Sequence, residues 1–321
     1  MDLIYTNSKK VDQGVLNTYT LDLSFGNEEN DFEISLGTDE PRLEFGALVY
    51  AEGFEYGGIV DAIGSDSTIE AVSYMGRTFH GVLNSKVIEP DEGKDYFTIS
   101  GDANTVLRNL IKRLNLGGLF VASEATSGIN ISNYQFNRYC KAYDGIRAML
   151  SSVGAKLKIA WKNRAVQLSA EPIVDYSEES IDNDTTDLIV KLYDKKVNHL
   201  ICLGKGELAN REVIHLYVDQ FGRIGDTKYY TGVDEITEIY DNNGAESSDE
   251  LRSGGIEYLT ELRSVDSASI SLPVAETSVY DIGDIVGAAD INSGIKTAAA
   301  VTQKIVRITN GAVNIEYKIG G

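Results

Sequence analysis

Two glycines stand in the string Gly204-Lys205-Gly206-Glu207-Leu208-Ala209, directly after the apolar run from Val197 to Leu203. A G-x-G-x-x-A spacing behind a strand can be the phosphate turn of a dinucleotide site, where pyrophosphate rests on the free N–H groups that open the next helix. Here only Glu207 to Glu212 separate the second glycine from the next apolar run at Val213. That is about half of an average helix of ~11 residues. The run that follows, Val213 to Val218, is dense in β-branched and aromatic residues and ends at the turn signal Asp219-Gln220-Phe221-Gly222. The stretch therefore reads as two strands joined by a glycine loop, and no nucleotide cofactor is expected.

Other chemistries fail on spacing. His80, His199 and His215 form no H-E-x-x-H pair, and neither Cys140 nor Cys202 belongs to a zinc-site pattern. His199 and His215 lie on the two strands around the glycine loop and could approach each other. Asp182-Asn183-Asp184 and Asp241-Asn242-Asn243-Gly244 open like calcium loops, yet the twelfth position is Tyr193 or Arg252 instead of a bidentate Glu. Both read as solvated acidic turns. Neither a G-x-S-x-G elbow nor a phosphate-binding G-x-x-x-x-G-K-[ST] loop is present. Among 49 acidic residues two could meet at the ~5–9 Å of glycoside hydrolysis, but abundance does not single out a pair. The lone Trp161 falls within a hairpin, where a core role fits better than a sugar platform. No catalytic, cofactor-binding or metal-ligating residue is expected.

The scaffold that would position any site is rich in β-structure. The 321 residues are 42% hydrophobic, with 18 Tyr and 31 Gly against 4 Pro, a composition of packed strands and tight turns. Net charge is 29 − 49 = −20, which argues against a basic nucleic-acid footprint and against attraction to anionic lipid. The two cysteines lie in apolar patterns and read as free buried thiols. No apolar run approaches the ~18–20 residues of a membrane span, and the N-terminus lacks a secretory h-region, so folding in a cytoplasm is expected.

Along the chain, residues 1–100 alternate in short apolar runs, as in a small barrel or sandwich. Residues 101–180 form a middle region. Asp102 caps a helix over 102–116 that Gly117 can stop, a second helix spans 139–153 before Gly154, and a hairpin over 156–170 turns at Lys162-Asn163-Arg164. The acidic, Ser-rich stretch 175–187 reads as a linker or exposed loop. Residues 181–265 are β-rich with a helix over 248–262, despite Gly254-Gly255 in its middle, and 266–321 return to strands that would complete a second barrel. The fold class is thus mainly β with α+β insertions: two small barrel-like domains and a helix and hairpin region between them. Several strands, in "VNHLICL", "REVIHLYV" and "AVTQKIVRI", are apolar on both faces and need cover on both, a pattern that points to assembly with other chains.

Taken in order, "GNEENDFEI" (26–34), "GRTFHGVLNSKVIEP" (76–90), "VNHLICLGKGELANREVIHLYVDQFGRI" (197–224), "VDEITEIYDNNGAESSDELRSGGIEYLTEL" (233–262) and the end from Tyr280 to Gly321 resemble the tail hub proteins of phages that infect Gram-positive bacteria. Residues 118–138 and 175–187 match no part of that pattern. The resemblance extends to the hub part of tail-associated lysins and to central hubs of contractile baseplates. It implies a non-enzymatic homotrimer capping the tail tube at the tail tip of the virion, after assembly in the host cytoplasm. Implied partners are the tube protein, distal tail or baseplate proteins, the tape-measure protein and a central spike or fibre. Genomic DNA would only pass through, without stable binding. Because the hub-like pattern runs to Gly321, no appended lysin domain is expected. The alternatives are a tail-tip peptidoglycan hydrolase using paired carboxylates, and a β-rich adhesin.

Overall fold

Alternation in Tyr19–Gly26 and Asp31–Gly37 places Leu21, Leu23 and Phe25 beside Phe32, Ile34 and Leu36, and all six are buried. The computed structural model describes residues 1–66, 71–182, 187–191, 196–263, 267–273, 280–290, 293–309 and 311–320. In it these two stretches are antiparallel partners, with Leu21 opposite Ile34 and Leu23 opposite Phe32. The chain opens with β1 (Leu3–Thr6), β2 (Asp12–Leu16), β3 (Tyr19–Gly26), β4 (Asp31–Gly37), β5 (Leu48–Tyr50), β6 (Gly57–Asp66) and β7 (Ala71–Thr78). It continues through α1 (Phe79–Asn84), β8 (Val87–Ile88), β9 (Thr98–Asp102), α2 (Ala103–Arg113), β10 (Phe120–Ala122), β11 (Asn130–Gln135), β12 (Cys140–Lys141), α3 (Ala142–Ser151), β13 (Ala155–Lys162) and β14 (Ala165–Pro172). Then come β15 (Asp175–Asp182), β16 (Asp187–Lys191), β17 (His199–Leu203), β18 (Val213–Val218), β19 (Ile224–Gly225), β20 (Thr237–Asp241) and α4 (Ser248–Arg263). The last strands are β21 (Ser267–Pro273), β22 (Ile285–Asp290), β23 (Ile295–Thr309) and β24 (Ala312–Ile319). The fold is mainly β with helical insertions.

Two compact units result, one of Met1–Ile189 with Ser269–Ile319, the other of Val190–Ala268 with Gly320–Gly321. The sequence pattern divides the chain at 100, 180 and 265; the compact units divide elsewhere, for two physical reasons. First, a continuous core runs from Leu48 and Phe79 through Val106, Leu110, Ile146 and Met149 to Val166 and Ala170, so the barrel-like strands and the helical region share one interior. Second, the C-terminal strands expected to complete a second barrel join the first sheet, in the order β21-β24-β23-β3-β4-β7-β6-β5-β1-β2, with Val306 opposite Leu23.

The middle region follows the sequence closely, with local differences. Asp102 caps α2 by accepting from Asn104 N and Thr105 N. The helix stops before Gly117 because Asn115 takes the left-handed conformation (φ 54°) and Leu116 N bonds back to Ile111 O. Helix α3 starts at Ala142 instead of Tyr139, since Cys140 and Lys141 are held in a ladder with Ile88 and Val87. The hairpin turns on Asn163 and Arg164, both at positive φ, the geometry that suits strand twist. Its second strand also pairs in parallel with β10. The acidic stretch 175–187 is not a loop over its described part. Strand β15 pairs in parallel with β22, because composition governs which side chains meet water and leaves backbone pairing free. Residues 183–186 lie outside the described residues.

Buried charge ties the first unit together. Lys304 on β23 is fully buried, bonded to Glu55 Oε1 at 2.7 Å, with the rings of Phe25, Tyr56 and Tyr317 within 5.8 Å of its Nζ. Burial alone would raise the Glu55 carboxyl, but Lys304 and His80 outweigh it and bring it down to about 2. His80 stacks on Phe25 at 4.0 Å, with Nε2 3.5 Å from Glu55 Oε2; burial lowers its own pKa against the pull of Glu55. A second cluster joins Lys156 of β13 to Asp284 (2.7 Å) and Asp281 (2.9 Å) of the segment before β22. Asp284 also accepts from Val174 N and Asp281 N.

In the second unit the sheet order is β19-β18-β17-β20, with β20 parallel to β17, and α4 packs on β17 and β18. The glycine pair that weakens α4 as an isolated helix is what lets it dock. A Cβ on Gly255 would stand 2.4 Å from Cys202 Sγ, and one on Gly254 2.6 Å from the Tyr240 hydroxyl.

Two outcomes test these packings. Gly255→Ala gains about 1 kcal/mol of helix propensity but meets an overpacking cost of about 1–3 kcal/mol, so net loss in urea unfolding is expected, restored by adding Cys202→Ala. Lys304→Met strands the Glu55 carboxylate and is expected to cost about 3–5 kcal/mol, most of it recovered in the double variant with Glu55→Gln. Since the Glu55 pKa is depressed, its stabilisation is present above the ordinary carboxylate value and is lost as pH falls toward about 2. A Lys304→Met protein as acid- and urea-resistant as wild type would refute the buried-pair account.

Candidate assembly face

Strands β17 and β18 alternate, and each of their faces has its own fate. Leu200, Cys202, Leu216 and Val218 point to α4, where they pack with Leu251, Leu259 and Ala245 in a closed core. The other face carries Ile201 and Leu203 of β17, Val213, His215 and Tyr217 of β18, and Thr237 and Ile239 of β20. Register sets Ile201 between His215 and Ile239, and Leu203 opposite Val213. Val213 is 46% exposed and Ile239 55%. The loops of the same unit end in apolar tips: Leu208 is 95% exposed, Val233 90% and Phe221 71%. On the face itself Val213 and Ile239 are thus the exposed apolar residues, while Leu208, Phe221 and Val233 stand at separate loop tips.

The glycine string has a packing role here. Gly204 leaves room for Leu251, since a Cβ would lie 2.8 Å from its Cδ2, and Gly206 holds φ +107° with a Cβ position 2.5 Å from Asn210 O. Residues 208–210 make one 3₁₀ turn, and β18 then runs antiparallel to β17. A phosphate-binding helix is replaced by a hairpin loop.

The two strand histidines meet, as their placement allowed. His199 Nε2 and His215 Nδ1 are 2.8 Å apart, and His199 Nδ1 lies 2.7 Å from Glu235 Oε1, whose other oxygen pairs with Lys228 at 2.7 Å. The two rings are joined directly, nitrogen to nitrogen. The would-be calcium turn at Asp241 is occupied by a guanidinium: Arg211 pairs with Asp241 and donates to Asn243 Oδ1 at 3.2 Å. Of the other turn, Asn183 and Asp184 lie outside the described residues. Among the described residues no group of three or more His, Cys, Asp or Glu side chains is placed to hold a metal ion. Cys140 and Cys202 are free thiols, the second buried, and Trp161 stacks in the core on Tyr50 at 4.1 Å. Among the described residues no helix is long and apolar enough to cross a membrane.

Acidic residues gather in one groove of about 580 Å³ over β3, β4, β6, β7 and β23, lined by Asp22, Glu29, Asp31, Glu33 and Asp61 with Arg77 and Arg307. Arg77 pairs with Asp61 and Arg307 with Asp22. The Asp31 carboxyl is raised, by burial first and then by Glu29. Sequence spacing gave no sign of this groove, nor of Lys228 and Glu235 as neighbours of His199, since loop residues bring them there.

No protein-family profile and no curated protein matches the sequence. Solved structures do. The prophage MuSo2 43 kDa tail protein from Shewanella oneidensis superimposes with a TM-score of 0.58 at 10% identity, over 99% of this chain and 98% of its own. The tail protein from Neisseria meningitidis MC58 gives 0.54 at 12% identity, over 100% and 96%. Prophage tail protein gp18 from Listeria monocytogenes EGD-e gives 0.51 at 15% identity, over 99% and 94%. Such identities speak for the fold alone, and the shared fold runs nearly end to end in each pair. The chain has the fold of phage tail proteins, as the sequence resemblance implied.

Proposed function

We propose that the chain is a structural tail hub: three copies close into a ring at the distal end of a phage tail tube. The ring joins the tube and tape-measure protein to distal tail or baseplate proteins and to a central spike or fibre, and it surrounds the path of DNA exit. The observation that carries this reading is the fold shared with phage tail proteins over almost the full length of both partners. The open face of β17, β18 and β20 supports it, because it leaves the apolar side chains of Val213 and Ile239 exposed where a partner could cover them. Charge fits as well. Three copies carry 3 × −20 = −60, and a negative wall repels phosphate and keeps passing DNA from sticking.

The acidic groove is where a wall hydrolase would have to work, since its Asp31, raised by burial and by Glu29, lies among other carboxylates. Salt bridges occupy Asp22 and Asp61, and the groove is better read as a solvated face of the hub.

Electron microscopy of tails carrying labelled chain is expected to place threefold density coaxial with the tube end. Ile239→Asp together with Val213→Asp puts charge on the open face and is expected to weaken self-association in sedimentation by about 10- to 100-fold, with the unit still folded by circular dichroism. A zymogram on purified cell wall is expected to stay blank. Clearing that disappears in Asp31→Asn would replace the structural reading with the enzymatic one.

A further inference from the structure

Strand β10, in the larger unit, is the last strand of its sheet and pairs in parallel with β14 on one side only. The bonds that bracket it, Val166 N to Leu119 O and Ser123 N to Leu168 O, both 2.9 Å, fix its alternation. In a parallel ladder every second residue gives both its N–H and its C=O to the neighbouring strand. Here that residue is Val121. The C=O of Phe120 and the N–H and C=O of Ala122 are therefore turned to the open edge.

That edge borders a groove of about 420 Å³ whose other wall is a stripe of α2: Arg108, Ile111, Lys112 and Asn115, spaced as one helix face. Ile111 and Phe120 are buried and make part of the lining apolar. Arg108 donates to Ser123 O at 2.9 Å and Lys112 is exposed; among the described residues neither is in an ion pair. Glu124 is the one acid in the lining, so the groove is locally positive on a chain of net charge −20.

Proteins ordinarily blunt a free sheet edge, because its unpaired main-chain groups invite other chains. Strand β20, an edge of the smaller unit's sheet, shows the device: Glu238 Oε1 takes the Ile239 N–H that the ladder leaves outside. Phe120, Val121 and Ala122 carry neither charge nor proline, and among the described residues no side chain takes the Ala122 N–H.

We propose, independently of the hub reading, that β10 takes up an extended, acidic segment of another protein as an added strand. Its main chain bonds to Phe120 and Ala122, and an Asp or Glu side chain reaches Arg108 or Lys112. Outward main-chain donors and acceptors in a row are matched by extended backbone. The cations beside them call for carboxylates. An edge of three residues offers few main-chain bonds, so the charged contact has to supply the rest of the affinity and the choice of partner.

The test titrates the full chain with a short, end-capped synthetic peptide in which Glu alternates with Val, to about 1 mM. Amide NMR shifts are expected around Phe120–Glu124 and along the facing side of α2, and added salt is expected to weaken binding. Ala122→Pro removes the outward N–H and leaves the bonds to β14, while Lys112→Glu reverses one cation. Each is expected to weaken the peptide by about tenfold or more with the fold intact by circular dichroism. A peptide methylated on its main-chain nitrogens probes the same bonds without touching the protein and is expected not to bind. No shift at Phe120–Glu124, equal affinity for a Lys-for-Glu peptide, or unchanged binding after methylation overturns the added strand. Free glutarate bound as tightly as the peptide would make the groove a small-carboxylate site, and self-association abolished by Ala122→Pro would make the occupant a second copy; either result replaces the proposal.

Discussion

Lys304 is the constraint around which the larger unit is organised. A lysine in the middle of an apolar strand has to find a carboxylate or unfold its surroundings, because an unpaired buried charge costs several kcal/mol. Its partner, Glu55, sits on the loop before β6, far away in sequence. Replacing both by hydrophobic groups would cost little, so the pair's use is in specifying geometry rather than in net stability. A slip of β23 by one residue would turn Lys304 to the other face and bring Ile305 inward. The pair therefore pins β23 between β3 and β24, and with it the closure of N- and C-terminal strands in one sheet. Lys156 does the same for the hairpin, fastening β13 to Asp281 and Asp284 just ahead of β22.

The smaller unit is built on the opposite principle, from close approach instead of charge. Gly204, Gly254 and Gly255 each omit a Cβ where a neighbour needs the space, so α4 lies close over Cys202 and Tyr240. That economy covers only one face. Strands rich in apolar residues on both sides are then half satisfied, and the free side keeps its hydrophobic content exposed.

Where local chemistry decides, the sequence was readable. Asp102 as a cap, the Asn163-Arg164 turn and the antiparallel β17–β18 pair depend on neighbours within a few residues, and each stands where the pattern puts it. Helix ends slipped by a few residues because Asn115 did the work assigned to Gly117, and because a two-residue ladder claimed Cys140 and Lys141. What stayed hidden was long-range. Nothing local announces that Lys304 meets Glu55, that β23 pairs with β3, or that the acidic run from Asp175 joins a sheet. The strand "AVTQKIVRI" held one clue, a charge between Gln303 and Ile305 in register with the buried Val306 and Ile308. Of the candidate site, the two-sided apolar strands and the facing histidines were legible; Lys228 and Glu235, which complete the histidine array, were not, since loops carry no period to read.

A chain of net charge −20 has a general problem in closing on copies of itself, since like charges repel wherever they come within a Debye length of ~8–10 Å. The open face answers it by being locally neutral. Its ionic groups are matched in place, Arg211 with Asp241 and Lys228 with Glu235, and what lies between them is aliphatic or aromatic. Hydrophobic contact is insensitive to net charge, so a face of this kind can meet another surface even on a chain as acidic as this one.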